Sequence, residues 1–441
     1  MSHLACLGRH TLSAWVSTSG RQFEDWSADY RLFERDRIDE QQLFKVARRE
    51  VESYLGKDEP LIVALDDSLI PKTGTKIAGV GWRRHPLSPP FRPNFIRGQR
   101  VLELSAALPC APGQARMIPI DFLMAPPAPK PPRQPSPQEL QHYQEQARQR
   151  SINRYALDRL AQLRQATPRP IRLLFDGRFT NRILLKNLPQ NVTAIGRIRK
   201  DAKLYAPPHS QPPGKGRPRL YGPPLPTPEQ LRQDETVSWQ SCHVYAANQW
   251  HDFDFKTMGP LRWRTAGTLD LRLVVIRPLH YRLTKMGRLL YRQPAFLICT
   301  DPHLPLQQIL QAYVWRWDIE VNFRDEKTLL GVGQPQVRTP LAAQKVPATS
   351  VAAYSLLLLA AARAFGPNGR PDSLPPPKWQ QPKQPPRAST AKLINHLRFE
   401  LWGHAISGSL IFSGFSSSLH VNHNPQKLPT NPAPAILYAS Q

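Results

Sequence analysis

The sequence predicts an α/β protein with a mostly β insertion and a small helical N-terminal domain. Short apolar runs that each end in aspartate alternate with helical stretches, as in an α/β core. A proline- and glycine-rich basic segment followed by short β-like runs then interrupts that alternation before a long helix. The 48 prolines bunch at 109–137, 206–228 and 367–386, so core segments are expected to be separated by extended loops.

Residues 1–58 mix Trp15, Phe23, Trp26, Tyr30 and Phe33 with charge, and end in a stretch, 40–55, where Leu43, Val46, Val51 and Leu55 fall near helical spacing. This predicts a helical N-terminal domain. It is either a DNA-binding module or a set of solvated basic helices, and it carries no helix-turn-helix signature. The first part of the core spans 59–202. Leu61-Ile62-Val63-Ala64-Leu65 reads as a buried strand ended by Asp66-Asp67, with further strands expected at 76–82 and 100–108. Residues 138–166 carry almost no glycine or proline and predict one long helix. A second buried strand, 171–175, precedes Asp176-Gly177, then a helix at 181–188 and a strand at 192–198. Residues 203–295 form the β-rich basic insertion. Residues 296–366 return to the core with a strand at 295–300, a long helix at 304–330 and an apolar one at 348–365. Residues 367–441 read as a proline-rich linker and C-terminal tail, in which order beyond Gly366 is expected only at 388–402.

Two strand-end aspartates and a glutamate on a long helix supply three carboxylates from separate elements, as two-metal phosphoryl transfer requires. Mg²⁺ is a hard ion that prefers such oxygen ligands. A strand-end aspartate alone more commonly serves a local turn. The helix shifts the balance, because Tyr313, Arg316, Glu320 and Lys327 stand at relative positions 0, 3, 7 and 14, within roughly a 60° sector at about 100° per residue. One face thus offers a carboxylate flanked by a phenol and two cations. A salt-bridged surface helix explains Arg316 and Glu320 as an i,i+4 pair, but leaves Trp315, Trp317, Ile319 and Phe323 spread round the helix, which implies burial on several sides. Asp318 and Asp325 lie off the Glu320 face and are expected to be structural or solvated.

Tyr-x2-Arg-x3-Glu-x6-Lys resembles the signature of bacterial insertion-sequence transposases of the DDE superfamily, in which a β insertion precedes the catalytic glutamate. Asp66-Asp67-Ser68 and Phe175-Asp176-Gly177 resemble that family's two aspartate motifs. The resemblance covers about 59–345 and implies an RNase H-like core. It implies Asp66, Asp176 and Glu320 as catalytic ligands of two Mg²⁺ or Mn²⁺ ions, and Tyr313, Arg316 and Lys327 as the grip on a DNA end, beside a nucleotide flipped at the cut. Of the adjacent pair, Asp66 fits the Asp-x-Ser spacing better than Asp67. The implied activity is cleavage at transposon terminal inverted repeats and strand transfer into target DNA, by a cut-and-paste route and as a homodimer when two ends are synapsed. The alternatives are a catalytically inactive, transposase-derived DNA-binding protein and an RNase H-like nuclease.

A formal charge of +26, from 59 Lys and Arg against 33 acids, suits a polyphosphate partner. Between 171 and 233 there are 12 cations and 3 acids, and Arg197, Arg199, Lys200 and Lys203 after a predicted strand are the expected phosphate contacts. Lys215-Gly216-Arg217-Pro218-Arg219 resembles a minor-groove arm, although such loops often match by chance. Cys6, Cys110, Cys242 and Cys299 are scattered without C-x-x-C, so neither a zinc ribbon nor a disulfide scaffold is indicated and a reducing cytoplasm fits. No cationic start followed by an apolar run is present, and 351–365 is too short to span a bilayer, so no membrane association is expected.

Overall fold

A computed structural model describes residues 1–85, 88–89, 91–208, 219–281, 290–369 and 387–407. Four helices open the chain: α1 (Ser2–Ala5), α2 (Leu12–Thr18), α3 (Ser27–Glu34) and α4 (Glu40–Ser53). Asp39 caps α4 by accepting from the Gln41 and Gln42 amides. The buried face of α4 is Phe44, Ala47, Arg48 and Val51, spaced 0, 3, 4 and 7, whereas Val46 is exposed, so the expected stripe was displaced by one position.

The core strands follow: β1 (Leu61–Pro71), β2 (Gly81–Arg84), β3 (Phe95–Pro109) and β4 (Ala115–Met124). Residues 76–80 turn instead of forming a strand. The proline-rich stretch 109–137 hides β4, which sequence pattern alone did not reveal. Pro119 is tolerated there because the ladder with β3 shifts register between Leu104 and Ser105. Helices α5 (Pro137–Gln149) and α6 (Ile152–Ala166) replace the single helix expected, since Ser151 starts a new one by accepting from the Arg154 amide. Then come β5 (Ile171–Phe175), α7 (Arg182–Leu185) and β6 (Val192–Arg197).

Strand β1 pairs antiparallel with β3 and parallel with β5, β5 pairs parallel with β6, and β4 lies antiparallel beyond β3. The order β4-β3-β1-β5-β6, with three antiparallel strands followed by two parallel to the first, is an RNase H-like arrangement. The insertion contributes β7 (Leu204–Tyr205), β8 (Pro224–Leu225), α8 (Pro228–Gln233), β9 (Gln240–Ala246), β10 (Gln249–Trp263), β11 (Leu271–Ile276) and a small ribbon of β12 (Leu279–Tyr281) with β13 (Leu290–Arg292). Through β14 (Ala295–Cys299) it joins the same sheet, for β14 pairs with β6 on one side and β11 on the other.

The signature segment is two helices, α9 (Leu306–Trp315) and α10 (Trp317–Thr328), with a step at Arg316 where one continuous helix was expected. Arg316 keeps right-handed helical angles, so residues on either side still address one region. Ile319 and Phe323 are buried, but Trp317 is 60% exposed, against the expectation of burial. Helix α11 (Pro340–Phe365) is longer than the expected apolar stretch. By length and composition it is the one helix among the described residues able to cross a membrane. Here it is largely buried and packs on β4 and α4. Its first turns also hold Cys6, Leu12, Trp15 and Phe33 of the N-terminal helices. Arg387 leads into α12 (Thr390–Ser407), which packs against α1 and α11. The expected linker and tail otherwise fall at 370–386 and 408–441, outside the described residues.

Candidate active site

Leu65 and Phe175 are the last paired residues where β1 and β5 run side by side, so Asp66 and Asp176 emerge next to each other. Phe175 stays tightly packed because Gly196 on β6 has no side chain; a Cβ there would lie 2.2 Å from its ring. After Asp176 the chain turns sharply. The Arg178 amide donates to Asp176 Oδ1 at 2.9 Å and the Thr180 hydroxyl to the Asp176 carbonyl at 3.0 Å.

Successive strand residues face opposite ways, which separates the surroundings of Asp66 and Asp67. Asp67 accepts from Arg100 Nε at 2.8 Å and from Arg178 Nη1 at 3.1 Å. Asp66 instead accepts from Arg316 Nη1 at 3.3 Å, and Arg316 Nη2 donates to Glu320 Oε1 at 2.9 Å. Lys327 Nζ lies 2.6 Å from the Ser68 hydroxyl, two residues after Asp66 and therefore on the same face of β1. The Arg316 guanidinium sits 5.6 Å from the Tyr313 ring centre, and the buried Tyr313 hydroxyl has no hydrogen-bond partner. All four residues of the helix signature are thus brought to the β1 strand that carries Asp66, or to one another.

Burial, reinforced by the negative charge of Asp176 and opposed by Arg316, pushes the Asp66 carboxyl up to about 7. Burial likewise raises Asp176 and Tyr313. Burial alone would lower Arg316, but Tyr313, Asp66 and Glu320 outweigh it and hold the guanidinium above its ordinary value. Two crowded carboxylates of this kind fit a hard divalent cation, which would relieve their repulsion. Glu320 stands one guanidinium away. Among the described residues no three acidic, histidine or cysteine side chains stand close enough to hold an ion as placed.

A cleft of about 570 Å³ opens over the aspartates, lined by Asp66, Asp67, Ser68, Asp176 and Arg178 together with Arg83 and Arg84 of β2 and Arg100 of β3. A second, of about 480 Å³, runs from Gly177 past Arg197, Arg199 and Lys200. Arg197 is exposed at the end of β6 and near enough to Tyr313 to perturb its hydroxyl. Arg199 pairs with Asp201 at 2.8 Å, and Lys203 is exposed two residues further on. Arg217 and most of the expected minor-groove arm lie outside the described residues. Asp318 pairs with Arg387, and buried Asp325 with Arg324.

Arg178 and Arg100 escaped sequence reasoning. The Asp-Gly-Arg order held a signal for Arg178. Arg100 had none, because strand pairing alone carries it to Asp67.

Comparison with curated proteins finds no match. A family model described as DDE superfamily endonuclease matches residues 3–258, a stretch that holds Asp66 and Asp176 and ends before the Glu320 helix. That match spans more than half of the 441 residues and agrees with the strand order and the paired aspartates, so the chain belongs to the DDE superfamily endonucleases.

Proposed function

We propose that this nuclease-type enzyme is a DNA transposase that cuts at terminal inverted repeats and joins the freed end to target DNA, its substrates being duplex ends synapsed by a homodimer along a cut-and-paste route. The observation that carries the reading is the tie from Asp66 through Arg316 to Glu320, with Asp176 beside Asp66. Through it the Asp66 carboxylate of β1 and the Glu320 carboxylate of α10 share one guanidinium, which supports the reading. Asp66, Asp176 and Glu320 would hold two Mg²⁺ or Mn²⁺ ions, which supply charge neutralisation at the attacking and leaving oxygens.

The chain's own groups do the rest. Arg316 and Lys327 are cations on the Asp66 side of β1, placed to hold phosphate oxygens beside the reacting one. Tyr313 offers a buried hydroxyl without a partner and an aromatic face to an unstacked base. Arg197, Arg199 and Lys200, with exposed Lys203 following in sequence, would continue the cationic track away from the cleft. Asp67, held by Arg100 and Arg178, is an anchor for those arginines, and Asp66 the ligand. Hydrolysis alone would use the same carboxylates with water in place of a DNA 3′-hydroxyl.

The test is purified protein with Mg²⁺ on DNA carrying the element's terminal repeat, wild type against Glu320→Ala, with mobility shifts on both. Cleavage and joining lost in the variant with binding retained supports the reading. Cleavage without joining leaves a nuclease, and binding without any cutting leaves an inactive DNA-binding protein.

A further inference from the structure

Between Asp67 and Glu103 the chain has no acidic residue but seven cations, Lys72, Lys76, Arg83, Arg84, Arg92, Arg97 and Arg100. The middle of this stretch is the ribbon of β2 and the start of β3, at one edge of the sheet. The register sets Trp82 opposite Arg97 and Arg84 opposite Phe95. Because Trp82 and Arg84 are two apart, all four side chains share one face, and each aromatic ring has an arginine across from it and along its strand. Trp82 is 69% exposed and Phe95 59%, and Phe91, in the connection between the strands, is 97% exposed. Arg83, on the opposite face, and Arg84 both line the cleft of Asp66 and Asp176, and the Arg83 Nε is buried without a hydrogen-bond partner.

Arginines alone would be accounted for as protection of a sheet edge against pairing with another chain. Three large aromatic side chains in water are not, since each forgoes burial worth on the order of 2 kcal/mol. A surface that interleaves flat apolar rings with guanidinium groups, and excludes acid, complements a flexible polyanion with flat apolar rings of its own. Single-stranded nucleic acid has that chemistry, because its bases can stack and its phosphates pair.

We propose that the β2–β3 ribbon is a clamp for unpaired nucleotides of the DNA strand entering the catalytic cleft, with Trp82, Phe91 and Phe95 stacking on bases and Arg84 and Arg92 pairing with phosphates. It rests on the reading that the site acts on DNA, and it adds a preference for DNA whose bases are unpaired next to the cut. Trp82, Phe91 and Phe95 are not among the residues that line the cleft of Asp66 and Asp176.

The experiment measures affinity of the full chain for a labelled duplex ending in an unpaired single strand and for a blunt duplex of the same sequence. Wild type is compared with Trp82→Ala/Phe91→Ala/Phe95→Ala and with Arg84→Gln/Arg92→Gln, with thermal melts to verify folding. The aromatic variant is expected to lose at least tenfold on the unpaired substrate and less than threefold on the blunt one. The arginine variant should lower the salt slope for the unpaired substrate by about 1.4, for two phosphate contacts. Equal losses on both substrates, or none, overturn the clamp while wild-type binding and cutting keep the DNA reading intact. A wild type that binds neither substrate overturns both.

Discussion

At the scale of the residue, Asp66 sets the chemistry of the site before any ion arrives. Its carboxyl is pushed up to about 7 by burial and by Asp176, above the ordinary value near 4. The folded chain therefore binds a proton here more tightly than the unfolded chain. The associated stability is fully present below the unfolded value and is lost as pH rises through about 7, by at most about 4 kcal/mol. Metal-free protein should melt at lower temperature at pH 8 than at pH 6, and Asp66→Asn should flatten that dependence; identical profiles for the two proteins would refute it. Since a divalent ion competes with this proton, Mn²⁺ affinity measured by calorimetry should rise across the same window in the wild type. Asp67 lies one residue away but is held by two arginines, and sequence spacing alone left the choice between the two open. Strand alternation, together with the partners brought by β3 and the Asp176 turn, is what distinguishes them.

At the scale of the element, α10 must hold Glu320 and Lys327 at fixed height over β1. Its inner side does so through an acid pair. Glu103 of β3 and Glu326 of α10 are both buried and close enough to act on each other, and burial together with the Glu103 charge raises Glu326 well above the ordinary range. Glu103 Oε2 and Glu326 Oε1 are buried without a hydrogen-bond partner, a need that one proton shared between the carboxyls would meet. Ser105 and Asn322 bond to Glu103 Oε1, the Tyr354 hydroxyl donates to Asn322 Oδ1, and Asp121, Asp325 and Lys327 are the charged groups nearby. Losing the shared proton would place two anions in the core. The sign is again a loss of stability as pH rises above the unfolded glutamate value. Glu326→Gln supplies a permanent donor, so its melting temperature should exceed that of the wild type at pH 9 and vary less with pH. Glu326→Ala should destabilise by roughly 1–3 kcal/mol through the unpaired Glu103. A Gln variant that follows the wild-type profile would rule out the shared proton. Nothing in the helical periodicity of 313–327 announced this pair, because it depends on which strand lies beneath.

At the scale of the whole molecule, the α/β core and the β-rich insertion were legible in the sequence because apolar runs and helical spacing are local signals. The spacing that carried the family resemblance also singled out Asp66, Asp176, Tyr313, Arg316, Glu320 and Lys327, whose roles are those proposed above. Three things were not legible. Strand β4 is masked by prolines that a register shift accommodates. The helix breaks at Ser151 and Arg316 depend on capping and tertiary contacts that periodicity does not register. The third is that the insertion is continuous with the core sheet, since which strands become neighbours is a long-range property.

That continuity has a metric consequence. From β2 to β10 the ladder passes through β3, β1, β5, β6, β14 and β11, which is seven spacings of about 4.8 Å, or at most about 34 Å across a twisting sheet. This is close to one turn of B-form DNA, about 34–36 Å. If DNA binds as proposed, a duplex touched at both the β2 edge and β10 would be gauged by hydrogen-bonded strands whose number cannot change without unfolding. Hydroxyl-radical footprints should then show two protected patches about ten base pairs apart, and a separation that drifts between DNA sequences would mean that β2 and β10 do not hold the same duplex.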